Sequence, residues 1–200
     1  MVLDIETSNF SYEIGGWDKT HLFDPVIVAT WDGEEGHLFS KQEIDIADST
    51  WHPLHPKVLG EHLENHIKKG GKIIGHNICG FDLPILRDAL DCHYAGVLLG
   101  KSKELLIDTA RVLRQLTGYG VPLDDVCKAT LGEGKESMGS ADAPVAWREG
   151  RHAEVAKYCL EEEKKRVDEF GVLLRNPELV SETFYTSLEA HNEKTLDAIK

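Results

Sequence analysis

Asp4 and Glu6 stand two residues apart in Val2-Leu3-Asp4-Ile5-Glu6, a run in which apolar and acidic residues alternate. A strand has a side-chain period of two, so both carboxylates project from one face. The apolar neighbours assign the strand to the core. Two carboxylates held a few ångströms apart in such surroundings repel unless a cation neutralises them or one is protonated. Magnesium or manganese, which prefer oxygen ligands, would suit that role. The plainer reading of the same residues is two harmless acids on a solvated strand edge.

Two further stretches bear on that choice. In Gly75-His76-Asn77-Ile78-Cys79-Gly80-Phe81-Asp82 a short strand ends in glycine, a polar pair follows, and an aspartate opens a helix. Alone, Asp82 is an ordinary helix N-cap. Joined to the upstream pair, it becomes a third metal ligand delivered from a neighbouring strand. Asn77 would then orient a polar group or contact a sugar, or it simply forms the turn. In Tyr158-Cys159-Leu160-Glu161-Glu162 the tyrosine and Glu162 are four apart and share a helix face, which makes Glu162 the candidate fourth ligand. Glu161 and Glu163 point elsewhere and read as a solvated face beside Lys164-Lys165-Arg166.

The elements that must position these residues follow from periodicity and turn signals. Strands are expected at Val2–Glu6, Pro25–Trp31, Gly36–Ser40, Lys72–Gly75 and Leu105–Asp108, with Asp32-Gly33 as a hairpin turn. The polar stretch Lys41–Pro56 carries Pro53 and Pro56 and reads as a loop. Val58, Leu59, His62, Leu63, His66 and Ile67 recur at helical spacing before Gly70-Gly71. Helices are also expected at Asp82–Leu90, with Pro84 in the first turn, at Thr109–Leu116, at Leu123–Leu131, and over Gly150–Leu174. Gly134–Ala143 reads as a loop. Strands that gather early and then alternate with helices define an α/β domain over residues 1–174, followed by a polar helical extension over 175–200.

Composition narrows the class. With 41% hydrophobic and 28% charged residues in 200, the chain can bury a core and is not a disordered polymer. No apolar run approaches the ~20 residues of a bilayer span, and the first nine residues lack a signal-peptide pattern, so an intracellular, cytoplasmic or nucleoid-associated protein with no membrane partner is expected. Cys79, Cys92, Cys127 and Cys159 form no C-x-x-C pair and read as reduced, mostly buried thiols. The net charge of −13 opposes a broad nucleic-acid surface. The acidity is uneven, since residues 1–60 hold 3 basic and 11 acidic side chains. Bound cations would offset several of those carboxylates.

D-I-E-T at Asp4–Thr7, H-N-x-x-x-F-D at His76–Asp82 and Y-C-x-x-E at Tyr158–Glu162 occur in the order of the three motifs of the DEDD 3′→5′ exonucleases, and the chain resembles that superfamily from Val2 to about Phe170. Tyr158, four residues before the last acid, resembles the tyrosine (DEDDy) branch; His152, ten residues before it, does not fit the histidine branch. Thr130-Leu131-Gly132, Lys135 and Trp147-Arg148-Glu149-Gly150 are similar to stand-alone exonuclease-like domains.

The resemblance implies a ribonuclease-H-like fold, a central mixed sheet flanked by helices, and hydrolysis at the single-stranded 3′ end of DNA or RNA to nucleoside 5′-monophosphates. It implies two divalent cations, Mg²⁺ or Mn²⁺, bridged by Asp4, with Glu6 and Glu162 on one and Asp82 serving the other. Tyr158 would orient the attacking water, Thr7 would offer its backbone N–H to the terminal nucleotide, and Phe10, Tyr12 and Phe81 are candidates for a base wedge. Lys101, Lys103, Arg111 and Arg114 could track phosphates. A polymerase or another nucleic-acid enzyme is a possible partner class. The chain departs from the family at Glu162, where aspartate is usual. The side chain is one methylene longer, and a displacement on the order of 1 Å can cost ~100-fold in rate. The alternative is therefore a weakened or inactive exonuclease-like module that binds nucleic acid or a partner.

Overall fold

In the computed structural model, which describes residues 1–131, 138–139 and 141–161, a six-stranded mixed sheet is flanked by helices on both faces. The strands are β1 (Val2–Thr7), β2 (Pro25–Trp31), β3 (Gly36–Ser40), β4 (Ser49–Pro53), β5 (Ile73–Gly75) and β6 (Leu106–Asp108), in the spatial order β4-β3-β2-β1-β5-β6. β1 runs antiparallel to β2, and β2 to β3; β1 with β5, β5 with β6, and β3 with β4 are parallel pairs.

Between the strands lie α1 (Ser11–Ile14), a 3₁₀ turn (Thr20–Leu22), α2 (Pro56–Lys68), α3 (Asp82–Asp88), α4 (His93–Gly100), α5 (Ser102–Leu105), α6 (Thr109–Thr117), α7 (Leu123–Leu131), α8 (Ala143–Arg148) and a helical segment over 152–161, here α9. None of the described helices is long and apolar enough to cross a membrane.

The alternation of β1 divides the molecule. Leu3 and Ile5 join Val28 and Phe39 on one face, covered by Leu59 and Leu63 of α2, Leu83 and Leu86 of α3, and Ala95 and Leu98 of α4. Each such fully buried Leu or Ile contributes about 1.5–3 kcal/mol by leaving water. Asp4 and Glu6 face the opposite way, toward the layer where Ile27, Ala29 and Leu38 pack with Trp147 of α8 and Val155, Ala156, Cys159 and Leu160 of α9. The second layer approaches closely. A Cβ at Gly36 would come within 2.8 Å of a Leu160 methyl and 3.1 Å of the Asp48 carbonyl, so glycine at the start of β3 lets α9 settle on the sheet.

Several expectations change. Residues 49–53 form the edge strand β4 rather than a loop. Pro53 is its last residue, where a missing N–H removes no interior ladder bond. Its pairing with β3 is tertiary and leaves no local alternation to read. The sequence does not announce α4 and α8, because each is short and nearly continuous in small or apolar residues, which hides a helical period. α2, α6, α7 and the start of α3 lie where expected. The expected long helix from Gly150 is observed as helix over 152–161. Its remainder, Glu162 and the 175–200 extension lie outside the described residues.

Candidate metal centre

Asp4 and Glu6 lie opposite Ala29 and Ile27 of β2, on the face that α9 covers. Glu6 is 9% exposed, Asp4 half-buried and Cys159 fully buried. One ligand atom from each of the three comes within 4.8 Å of those from the other two, and the Cys159 Sγ sits 3.8 Å from Asp4 Oδ2. Two carboxylates and a thiol form a donor set able to coordinate one metal ion. Among the described residues this is the one His, Cys, Asp and Glu cluster that gathers three ligand atoms so closely.

The end of β1 is fixed from several sides. A bulge between Glu6 and Thr7 breaks register against β2, an irregularity that re-aims side chains at strand ends. Thr7 is buried, and its hydroxyl donates to the Asn9 carbonyl at 3.0 Å. Arg148 of α8 donates to the Ser8 carbonyl at 2.6 Å and to both oxygens of Glu13, while its guanidinium lies 5.6 Å from the Phe10 ring centroid. Hydrogen bonding from Arg148 holds the Glu13 carboxyl below its usual range. This clamp ties the chain after β1 to α8, which leads into α9, and so to Cys159.

Asp82 is the first residue of α3 and 2% exposed. A carboxylate there benefits from the positive end of the helix. It is not part of the three-donor cluster. The turn that delivers it begins at Gly75, where a Cβ would meet Ile78 at 2.8 Å and the Leu3 carbonyl at 3.0 Å; only glycine lets this turn lie against β1. Asn77 has a left-handed backbone (φ 65°), and its carbonyl accepts from the N–H groups of Gly80 and Phe81, each at 2.9 Å, so its backbone builds the turn. The half-buried Phe81 meets Trp17 and Phe23 edge-on, with centroids 5.5 and 5.4 Å away. Tyr158 is 6% exposed and packs in the apolar layer under α9.

Two residues with a part in this region carry no such signal in the sequence. Cys159 reads there as an ordinary buried thiol. It is buried, but it faces Asp4, a proximity that no local spacing encodes. Asp108 closes β6 and caps α6; its carboxylate accepts from the backbone N–H of Asn77, Cys79 and Arg111 at 3.0, 3.0 and 3.1 Å. It therefore staples the Asp82 turn to the β6–α6 junction. Aspartate before a helix was a legible cap signal, but its cross-strand partners were not. Burial first, then the Asp108 charge, pushes the Cys79 thiol up to about 11, which keeps it protonated and inert.

No protein-family model matches the chain, and no curated protein does. The likeness to an exonuclease superfamily therefore rests on the motifs, and the architecture agrees with it at the level of a mixed sheet flanked by helices.

Proposed function

We propose that the chain is an exonuclease-like domain of the ribonuclease-H-like class, spanning residues 1–174, that holds a divalent cation at the end of β1 and binds nucleic-acid 3′ ends with weakened phosphodiester hydrolysis. The observation that carries this reading is the convergence of Asp4, Glu6 and Cys159, with ligand atoms within 4.8 Å of one another. A central strand presenting two buried-side carboxylates, within a mixed α/β sheet, supports the class.

Three features favour weakened chemistry. A thiol stands beside the carboxylates, where the resemblance implies an all-oxygen set. Glu162 replaces the usual aspartate. A net charge of −13 opposes the phosphate backbone except where cations intervene. A cation bound here would neutralise the paired acids and acidify a water. Asp4 and Glu6 would hold it, and α9 excludes bulk solvent from the inner side of the site. The roles that the resemblance implies for Asp82, Tyr158 and Glu162 belong to the fully active reading, in which Asp82 would serve a second cation. The fully active, two-cation enzyme has one observation in its favour. Asp82 is a third carboxylate, almost wholly buried, and it follows the strand next to β1.

The test is a labelled single-stranded oligonucleotide incubated with Mn²⁺ and scored both for binding and for a ladder of shortened products. The weakened module binds the strand in an Asp4-dependent way and trims it slowly or not at all. A fast ladder abolished by Asp4→Ala establishes the active enzyme instead. If wild type and Asp4→Ala bind Mn²⁺ and the strand alike, both readings fail.

A further inference from the structure

We propose that Cys159 is a metal ligand, and that the Asp4–Glu6–Cys159 site takes a thiophilic cation of the zinc class in preference to magnesium. The inference rests on the reading of the β1 end as a cation site and states which cation chemistry that site selects.

The donors come from two elements, a central strand and a helix 155 residues away in sequence from Asp4. Cys159 is fully buried, yet its sulfur lies against a carboxylate oxygen at 3.8 Å rather than only among methyl groups. With Zn–S about 2.3 Å and Zn–O about 2.1 Å, tetrahedral ligands place sulfur and oxygen about 3.6 Å apart. The observed 3.8 Å between Cys159 Sγ and Asp4 Oδ2 is close to that separation, so the thiol and the carboxylate stand near enough to share one ion. Magnesium demands a near-octahedral oxygen shell, whereas thiolate ligands select zinc and its borderline neighbours. Three protein ligands leave a fourth position open on a tetrahedral ion, the arrangement of zinc sites that admit water or a substrate oxygen.

Ligation converts the thiol to a thiolate, and its proton leaves to solvent as the sulfur–metal bond forms. Cys79 is a poor competitor for this role, because its thiol is held protonated beside Asp108. Cys92 and Cys127 are buried and belong to no three-donor cluster among the described residues. The simple alternative is a neutral thiol donating weakly to Asp4, with no sulfur–metal bond.

Cobalt distinguishes these cases, since a cobalt–thiolate bond adds a sulfur-to-metal charge-transfer band in the near ultraviolet. The full chain, stripped with chelator, is titrated with Co²⁺, then Zn²⁺, then Mg²⁺. The expected result is a charge-transfer band displaced by Zn²⁺ but not by excess Mg²⁺, lost in Cys159→Ser and kept in Cys79→Ser. Zn²⁺ affinity falls in Cys159→Ser by at least the roughly 10–100-fold that losing even an outer partner of a metal costs. Should Cys159→Ser fail to fold, the wild-type band and the Zn²⁺-over-Mg²⁺ order still decide the matter. Asp4-dependent Co²⁺ binding without the band, or ready displacement of Zn²⁺ by Mg²⁺, overturns the inference and leaves a carboxylate site standing. Absence of any Asp4-dependent binding of Co²⁺, Zn²⁺ or Mn²⁺ overturns the site itself.

Discussion

Two regions of this molecule collect titratable side chains, and they satisfy them in opposite ways. On the α9 side of the sheet, Asp4, Glu6 and Cys159 crowd together. On the α2 side, His37, His52 and His62 form a second group: His37 Nδ1 meets His52 Nε2 at 3.1 Å, His62 Nε2 meets the Thr30 hydroxyl at 3.0 Å, and the rings of His37 and His62 lie 4.6 Å apart. A neutral imidazole carries both a donor and an acceptor, so histidines can satisfy one another and stay uncharged. Ionised carboxylates only accept, and they repel. The histidine group carries hydrogen bonds of its own, whereas the acid group is the one that the proposed cation would complete. Density of ionisable residues alone therefore does not mark a site; the balance of donors and acceptors does.

That contrast can be broken at either end. The largest effect is expected at the cation site. Glu6→Gln keeps the shape and removes a charge, so it should lower Zn²⁺ or Mn²⁺ affinity by more than about 10-fold. The same change should raise the melting temperature of the chelator-stripped protein, because it removes one charge from the adjacent acid pair. A lowered melting temperature in the stripped protein would mean that the two acids are not a strained pair.

Next comes the staple that serves this side. Asp108→Ala strands three backbone donors and should cost about 3 kcal/mol, read as a shift in the urea midpoint. A loss under about 1 kcal/mol would show that the Asp82 turn holds itself.

The histidine group gives a smaller, pH-dependent effect. Burial first, then the neighbouring His37, lowers the His62 pKa to about 4, with lesser contributions from His52 and His66 that Asp32 opposes. In the unfolded chain the ring titrates near ~6.5. The stability it contributes is thus fully present above that value. It is lost as pH falls from about 6.5 toward about 4, since the unfolded chain takes up the proton first. Allowing for partial exposure, the loss is about 2 kcal/mol. His62→Gln should flatten the stability curve in that window; a curve as steep as wild type would assign the slope elsewhere.

The smallest change expected is at the contact that seats α9. Gly36→Ala forces Leu160 and the Asp48 carbonyl to yield and should cost about 1 kcal/mol, with a matching fall in metal affinity as Cys159 moves. Weakened stability with unchanged affinity would uncouple α9 from the cation site.

What depends on near neighbours is legible in the order of the residues alone. The alternation in β1 set Asp4 and Glu6 on one face, and the 3.6-residue period and a glycine stop marked α2. An aspartate and a proline marked the opening of α3. These signals are legible because a strand or helix face repeats within a few residues. That β4 is a strand follows from its packing, since it pairs with β3 and has no alternation of its own. The same holds for the thiol of Cys159, which reaches Asp4 from a helix far along the chain, and for Asp108, which holds the turn before Asp82. Each of these depends on distances between elements. Packing of the layers sets such distances, and no local period records them.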